Sequence, residues 1–147
     1  GTDEIDMPVL KTTVAPAHSD KHPLVLKAGE SPDINHLLEI YLSGALYDVI
    51  TATDGVDLLE KAKTHSRRGH NPPFAIITGV SIPKMDGWEV LRELKADGAT
   101  SNVPVIIISS IDNKDLGYAL GAMEYMEKPV NRDELLSVLD RIRATKG

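Results

Sequence analysis

Residues 74–91 read Phe74-Ala75-Ile76-Ile77-Thr78-Gly79-Val80-Ser81-Ile82-Pro83-Lys84-Met85-Asp86-Gly87-Trp88-Glu89-Val90-Leu91. The opening run, Phe74 to Thr78, is nearly all apolar. It is short enough for a strand and shows no polar alternation, which predicts a central strand covered on both faces. Thr78 to Pro83 then reads as a loop. Asp86, placed three residues before Glu89, has the spacing of a capping box and marks a helix start. A buried strand, a loop and a capped helix in succession are the repeating unit of an α/β fold.

The same alternation extends in both directions. Upstream, Leu24-Val25-Leu26 and Tyr47 to Ala52 are strand candidates, and downstream Val103 to Ile108 is a second continuous apolar run. Glu124-Tyr125-Met126-Glu127 is a fifth, weaker one. Between them lie amphipathic stretches. Ser31 can cap a helix with Pro32 at its first position, where a missing N–H is harmless. Ile34, Leu37, Leu38 and Tyr41 form one apolar face of that helix. Asp54/Asp57, Asp112/Asp115 and Asn131/Glu134 repeat the cap spacing, and Gly44 and Gly121 suit helix ends. The last helix carries Leu135, Val138, Leu139 and Ile142 on one side. Arg141, Arg143 and Lys146 lie near its C-terminus, where cations suit the dipole. Strict alternation implies a parallel sheet of five strands, doubly wound, with helices on both faces. Sites in such sheets lie at the carboxyl ends of the strands, which directs attention to Ala28–Ser31, Thr78–Pro83, Ser109–Asp112 and Glu127–Pro129.

The chain has 147 residues, 41% hydrophobic and 26% charged, so it holds one domain with a real core plus a tail. Residues 1–22 mix Pro, Thr, Asp and Lys without period and read as a flexible tail or interdomain linker, with the domain at 23–146. The start at Gly1-Thr2 reads as a cloning scar or the edge of a fragment. A net charge of −6 argues against nucleic acid as a partner, because phosphate neutralisation needs clustered Lys and Arg. No apolar run is long enough to insert in a membrane, and no signal peptide is visible. Cysteine is absent. That excludes thiol chemistry and fits a reducing, cytoplasmic setting. The five histidines lack metal-ligand spacing, and the glycine-rich nucleotide loops and the nucleophile elbow are missing.

Ile82-Pro83-Lys84-Met85-Asp86-Gly87 and Gly121-Ala122-Met123-Glu124-Tyr125-Met126-Glu127-Lys128-Pro129, with a strand ending at Ser109 between them, resemble the receiver domain of bacterial response regulators. The resemblance spans roughly residues 23–145. Ile111 to Leu120 looks most like receivers attached to hybrid histidine kinases. It implies a flavodoxin-like (βα)5 fold with strand order 2-1-3-4-5 and a cis peptide before Pro129. It also implies phosphoryl transfer from a kinase histidine to an aspartate ending the third strand. That chemistry needs a carboxylate nucleophile, a Mg²⁺ held by two more acids, and a lysine and a hydroxyl on the phosphoryl oxygens.

Carried over by position, the phosphoacceptor falls on Gly79 and the acid pair on Gly29 and Glu30. The hydroxyl falls on Ser109, the lysine on Lys128 and the switch aromatic on Tyr125. Glycine cannot accept a phosphoryl group, and a remnant Glu30 is a poor magnesium site, so neither metal nor cofactor is expected. The reading is a degenerate pseudo-receiver, not an enzyme, with Lys128 paired to Glu30. It would regulate by protein–protein contact through a face around Tyr118, Tyr125 and Glu127. The partner would be a histidine kinase core or a neighbouring signalling domain, in cis or in trans. Two alternatives stand beside it. The emptied pocket, or basic residues near Lys128 and Arg132, could bind a small anion such as a cyclic dinucleotide. A non-standard residue could instead be phosphorylated; Thr78, Ser81 and Asp86 are the residues at hand. Ser109 is either a switch hydroxyl or a backbone-bonded strand end, and Tyr125 is expected as a fixed, half-exposed aromatic. Lys27, inside the first strand, either snorkels to the strand end or pairs with an acid such as Asp54. Arg67-Arg68 reads as a solvated helix end, and Gly117/Gly121 as packing rather than a dimer motif.

Overall fold

The computed structural model describes residues 22–67 and 72–146. Apart from His22, the expected tail lies outside the described residues, as does Arg68. Among the described residues five strands alternate with five helices. They are β1 (Leu24–Ala28), α1 (Pro32–Gly44), β2 (Asp48–Thr51), α2 (Gly55–Arg67), β3 (Ala75–Thr78), α3 (Gly87–Ala96), β4 (Val105–Ser109), α4 (Lys114–Ala119), β5 (Glu124–Glu127) and α5 (Arg132–Lys146). The strands form one sheet in the order β2-β1-β3-β4-β5, and every pairing is parallel. This is the expected 2-1-3-4-5 order, and Lys128-Pro129 is the expected cis peptide.

Alternating side chains of the central strands feed two separate cores. Leu26, Ile76, Val105 and Ile107 pack with Leu58 and Ala62 of α2 and Val90, Leu91 and Leu94 of α3. Val25, Ile77, Ile106 and Ile108 pack with Leu38 and Leu42 of α1 and Leu135, Val138, Leu139 and Ile142 of α5. Both faces are therefore dry, which is why β3 and β4 read as unbroken apolar runs and are buried throughout. The edge strand β2, Asp48-Val49-Ile50-Thr51, is only partly buried and is polar at both ends.

The caps set where each helix leaves the sheet. Ser31 Oγ accepts from Ile34 N at 3.3 Å, Asp54 from Asp57 N at 2.8 Å, Asp86 from Glu89 N at 2.9 Å and Asn131 from Glu134 N at 2.9 Å. The Asp112/Asp115 box does not form. Helix α4 begins one residue later, behind Asn113, with no side-chain cap bond. Gly44 ends α1, but the left-handed residue that reverses the chain is Leu46, at φ 68°.

Lys27 takes neither expected course. It is wholly buried, and its Nζ donates to Asn35 O at 2.9 Å and Thr51 Oγ1 at 2.7 Å. Asp54 instead faces Lys84, 3.5 Å away. Thr51 is the register partner of Lys27 on β2, so the sheet itself delivers the hydroxyl. Arg67 is exposed, as a solvated helix end should be, and it reaches Asp97 at 3.1 Å, linking the end of α2 to the end of α3.

Candidate functional site

The carboxyl ends of β1, β3, β4 and β5 meet at one spot, and each contributes a group. Gly29-Glu30 follows β1, Gly79 follows β3, Ser109 ends β4 and Lys128 follows β5. Parallel pairing keeps the ends level, with Ala28 beside Thr78 and Ser109 beside Glu127. Gly79 N donates to Ala28 O at 2.9 Å and Lys128 N to Ser109 O at 3.1 Å, so the backbone stays bonded past the strands.

The Glu30 carboxylate sits at the centre. Its Oε1 lies 2.5 Å from Lys128 Nζ. Its Oε2 accepts from Val80 N and Ser81 N at 3.0 Å each and from Ser109 Oγ at 3.1 Å. The two side chains of the ion pair are 10% exposed for Glu30 and 21% for Lys128. Burial pushes the Glu30 pKa up. The Lys128 hydrogen bond and the Ser81 and Val80 amides outweigh that and hold it below its ordinary value.

Gly79 explains the fit. A Cβ there would stand 2.4 Å from Glu30 Cγ and 3.2 Å from Glu30 Cδ. The glutamate stem thus runs through the volume that a side chain at position 79 would fill. The Pro83-Lys84-Met85-Asp86-Gly87 loop is folded just as tightly around this spot. Gly87 N donates to Val80 O at 2.8 Å, and a Cβ on Gly87 would meet Gly79 O at 2.0 Å. A side chain at either glycine requires something to move.

The sequence placed Gly29, Glu30, Gly79, Ser109 and Lys128 in one pocket, and of these the structure brings Glu30, Gly79, Ser109 and Lys128 together. It did not foresee the Val80 and Ser81 amides. Every residue carries an amide, and only the loop's course shows which ones point inward. Gly29 faces away from that cluster, its N–H donating to Asn35 Oδ1 of α1 at 2.8 Å. The other acceptor candidates are engaged elsewhere: Thr78 Oγ1 donates to Gly79 O at 3.0 Å and Asp86 caps α3. Ser81 is exposed and enters the pocket through its amide.

Beyond Ser109 the bonding continues. Ser109 Oγ also accepts from Ile111 N at 3.1 Å, and the Tyr125 hydroxyl donates to Ile111 O. Tyr125 is not half-exposed as expected: it is buried at 3%. Its ring stacks on Trp88 at 6.1 Å and 14°, and a Cβ on Gly117 would lie 2.7 Å from its Cδ2. The ring therefore fills the notch that Gly117 leaves, and the surface face keeps Tyr118 and Glu127 without it. Tyr118 stays 44% exposed, and its hydroxyl accepts from Tyr125 N at 3.3 Å and donates to Glu124 at 3.2 Å.

The magnesium ion implied by the receiver resemblance does not fit these residues. Mg²⁺ seeks six oxygens in near-octahedral array. Gly29 offers no side chain, and both Glu30 oxygens are turned onto hydrogen-bond donors, one of them an ammonium. Among the described residues no group of three or more His, Asp or Glu gathers that could hold a metal. Nor is any described helix long and apolar enough to cross a membrane.

Residues 25–140 match the response regulator receiver domain family. Protein PilG of Pseudomonas aeruginosa is 34% identical over 119 residues, covering 78% of this chain and 83% of PilG. Hybrid signal transduction histidine kinase D of Dictyostelium discoideum is 30% identical over 118 residues, covering 78% of this chain and 7% of the kinase. The transcriptional regulator RpaA of Synechocystis is 32% identical over 125 residues, covering 83% of this chain and 48% of RpaA. The chain thus spans half or less of the length of these last two curated relatives. Among solved structures, a response regulator of Chloroflexus aurantiacus superposes with a TM-score of 0.75 at 26% identity, covering 84% of this chain and 99% of that one. The chemotaxis response regulator CheY4 of Vibrio cholerae gives 0.72 at 28%, covering 82% and 98%. With the fold, the two signature loops and the matched residues in agreement, this chain belongs to the response regulator receiver domain family of two-component signalling.

Proposed function

We propose that this receiver is a degenerate one, a cytoplasmic and non-enzymatic module that regulates by protein–protein contact and not by aspartyl phosphorylation. One observation carries the reading: position 79 has no side chain, and the Glu30 stem fills the space where one would stand. A phosphoryl group needs a nucleophile within near-attack distance, and shifts of an ångström are costly there. Thr78, Ser81 and Asp86 each have another bonded role or orientation.

The partner fitting this reading is a histidine kinase core or an adjoining signalling domain, in cis or in trans. The contact face is the one around Tyr118 and Glu127, with Tyr125 beneath it as a buried support. The small-anion alternative is disfavoured by Lys128 being engaged with Glu30 and Arg132 with Asp133 at 3.1 Å. Incubation with acetyl phosphate and Mg²⁺, followed by intact mass, tests the proposal. The expected result is an unchanged mass. A stoichiometric phosphoryl adduct overturns the reading.

A further inference from the structure

The number of donors meeting Glu30 is out of proportion to an ordinary ion pair. Four N–H or O–H groups, from the ends of three different strands, converge on one carboxylate: Lys128 Nζ, Val80 N, Ser81 N and Ser109 Oγ. An ammonium, a hydroxyl and two adjacent amides make a receptor for an oxyanion. Here the oxyanion belongs to the chain. Its stem can reach that position only because residue 79 is glycine, so Glu30 and Gly79 form a matched pair. A side chain at 79 would displace the stem, and a shorter acid at 30 would fall short of the donors.

The receptor is also wired to a distant aromatic. Ser109 has one hydrogen, spent on Glu30, and its oxygen accepts from Ile111 N. Ile111 O in turn receives the Tyr125 hydroxyl. Tyr125 is packed between Trp88 and Gly117, and its own N–H meets Tyr118 OH. An unbroken path of hydrogen bonds thus joins the pocket to exposed Tyr118. Ile111, at 42% exposure, lies on the way. If the pocket's occupant is removed, the groups along this path are the ones that must respond.

We propose that Glu30 is a built-in oxyanion occupant of the receiver pocket, and that through Ser109 and Ile111 it holds the Tyr125 ring permanently inward, fixing the Tyr118 face in one state without any phosphoryl donor. The proposal deepens the degenerate-receiver reading and rests on it. It makes the module a constant signal set by its own sequence. The pocket's external ligand class, once Glu30 is truncated, is a small oxyanion such as inorganic phosphate.

Trp88 is the single tryptophan of the chain and stacks on Tyr125, so its emission reads the ring's position. Glu30→Ala is expected to shift Trp88 emission, and added inorganic phosphate to reverse the shift. Phosphate should bind this variant at least about tenfold more tightly than the parent, which it should leave unchanged. Ser109→Ala cuts the path beyond an intact Glu30–Lys128 pair. It should shift Trp88 emission in the same direction, with no reversal by phosphate. A folded Glu30→Ala protein, judged by far-UV circular dichroism, whose Trp88 emission equals the parent's overturns the proposal. If Glu30→Ala does not fold, Ser109→Ala decides alone: a shift supports the path and parental emission overturns it. The two proposals fail separately. A phosphoryl adduct beside a responsive Trp88 removes only the inert-acceptor reading. An unmodified mass beside a silent Trp88 removes only the occupant.

Discussion

Two lysines stand near the carboxyl edge of the sheet, and the protein accommodates them by opposite means. Lys27 on β1 is wholly buried, and the oxygens meeting it belong to neutral groups, Asn35 O and Thr51 Oγ1. Lys128 after β5 keeps some exposure and is met by a full carboxylate. At Lys27 the charge is solvated by dipoles fixed in the fold. At Lys128 it is neutralised by a partner that also fills a vacant volume. Burial accordingly lowers the Lys27 pKa, against a weaker opposing pull from Glu39. The acid of the other site is itself held low by its donors. A charge buried among dipoles is tied to one geometry, whereas a paired charge can change with its partner. The proposed occupant makes the pocket the region where substitution is expected to alter state as well as stability, and the Lys27 site the region where it is expected to alter stability alone.

The sharpest way to break the comparison is to reverse the sign at Lys27. Lys27→Glu places a carboxylate against the Asn35 carbonyl in a dry site, with Thr51 as its one hydroxyl donor, and should cost about 4 kcal/mol, read as a lowered urea midpoint or loss of folded protein. A variant of parental stability would show that water reaches the site. Glu30→Ala should cost less, about 2 kcal/mol, because water can reach two of the four donors it abandons, the partly exposed Lys128 and the amide of exposed Ser81. Gly79→Ala adds a methyl 2.4 Å from Glu30 Cγ and should cost about 1–2 kcal/mol by overpacking. In the double variant with Glu30→Ala the clash disappears, so the two costs should sum to more than the measured total, by about 1 kcal/mol. Strict additivity would mean that the stem and position 79 do not share space.

The smallest effect is the pH dependence. Between their lowered and ordinary values both groups bind fewer protons folded than unfolded, so stability rises with pH through each window. For Glu30 the contribution is present above its ordinary 4.5 and is lost as pH falls through the folded value. For Lys27 stability rises from the lowered value up to the ordinary 10.5, because the unfolded chain still holds the proton there. Urea midpoints against pH should show Glu30→Gln flattening the acid limb and Lys27→Met flattening the alkaline one. A variant whose limb keeps its slope removes that group from the account.

Several of these features were legible in the residues. The unbroken Ala75-Ile76-Ile77 and Val105-Ile106-Ile107-Ile108 runs announce strands dry on both faces, and Asp86 and Asn131 cap as their spacing to Glu89 and Glu134 predicts. Asp112 does not, because a short α4 packed by Gly117 against Tyr125 starts where packing allows. Lys27 read as an anomaly, and the anomaly is real, but its partners were not visible. Asn35 lies eight positions on, in the first turn of α1, and Thr51 becomes a neighbour only through sheet register. Tyr125 was misplaced because a single aromatic at the end of a strand carries no mark of the notch that Gly117 opens for it.

By itself the chain's order of residues determined the alternation of strands and helices, the parallel sheet, and which side chains would arrive together at its carboxyl edge, since hydrophobic period and cap chemistry are local. The Glu30–Lys128 pairing was expected from the sequence, but tertiary structure alone decided that Ser109 and two backbone amides join Lys128 on the same carboxylate. Glu30 and Lys128 are 98 positions apart, and Glu30 and Ser109 79 apart. The direction of two backbone amides and the space over Gly79 that the Glu30 stem fills exist only when the strands are assembled. Hydrogen-bond geometry and shared space are properties of the packed whole, and no linear pattern encodes them.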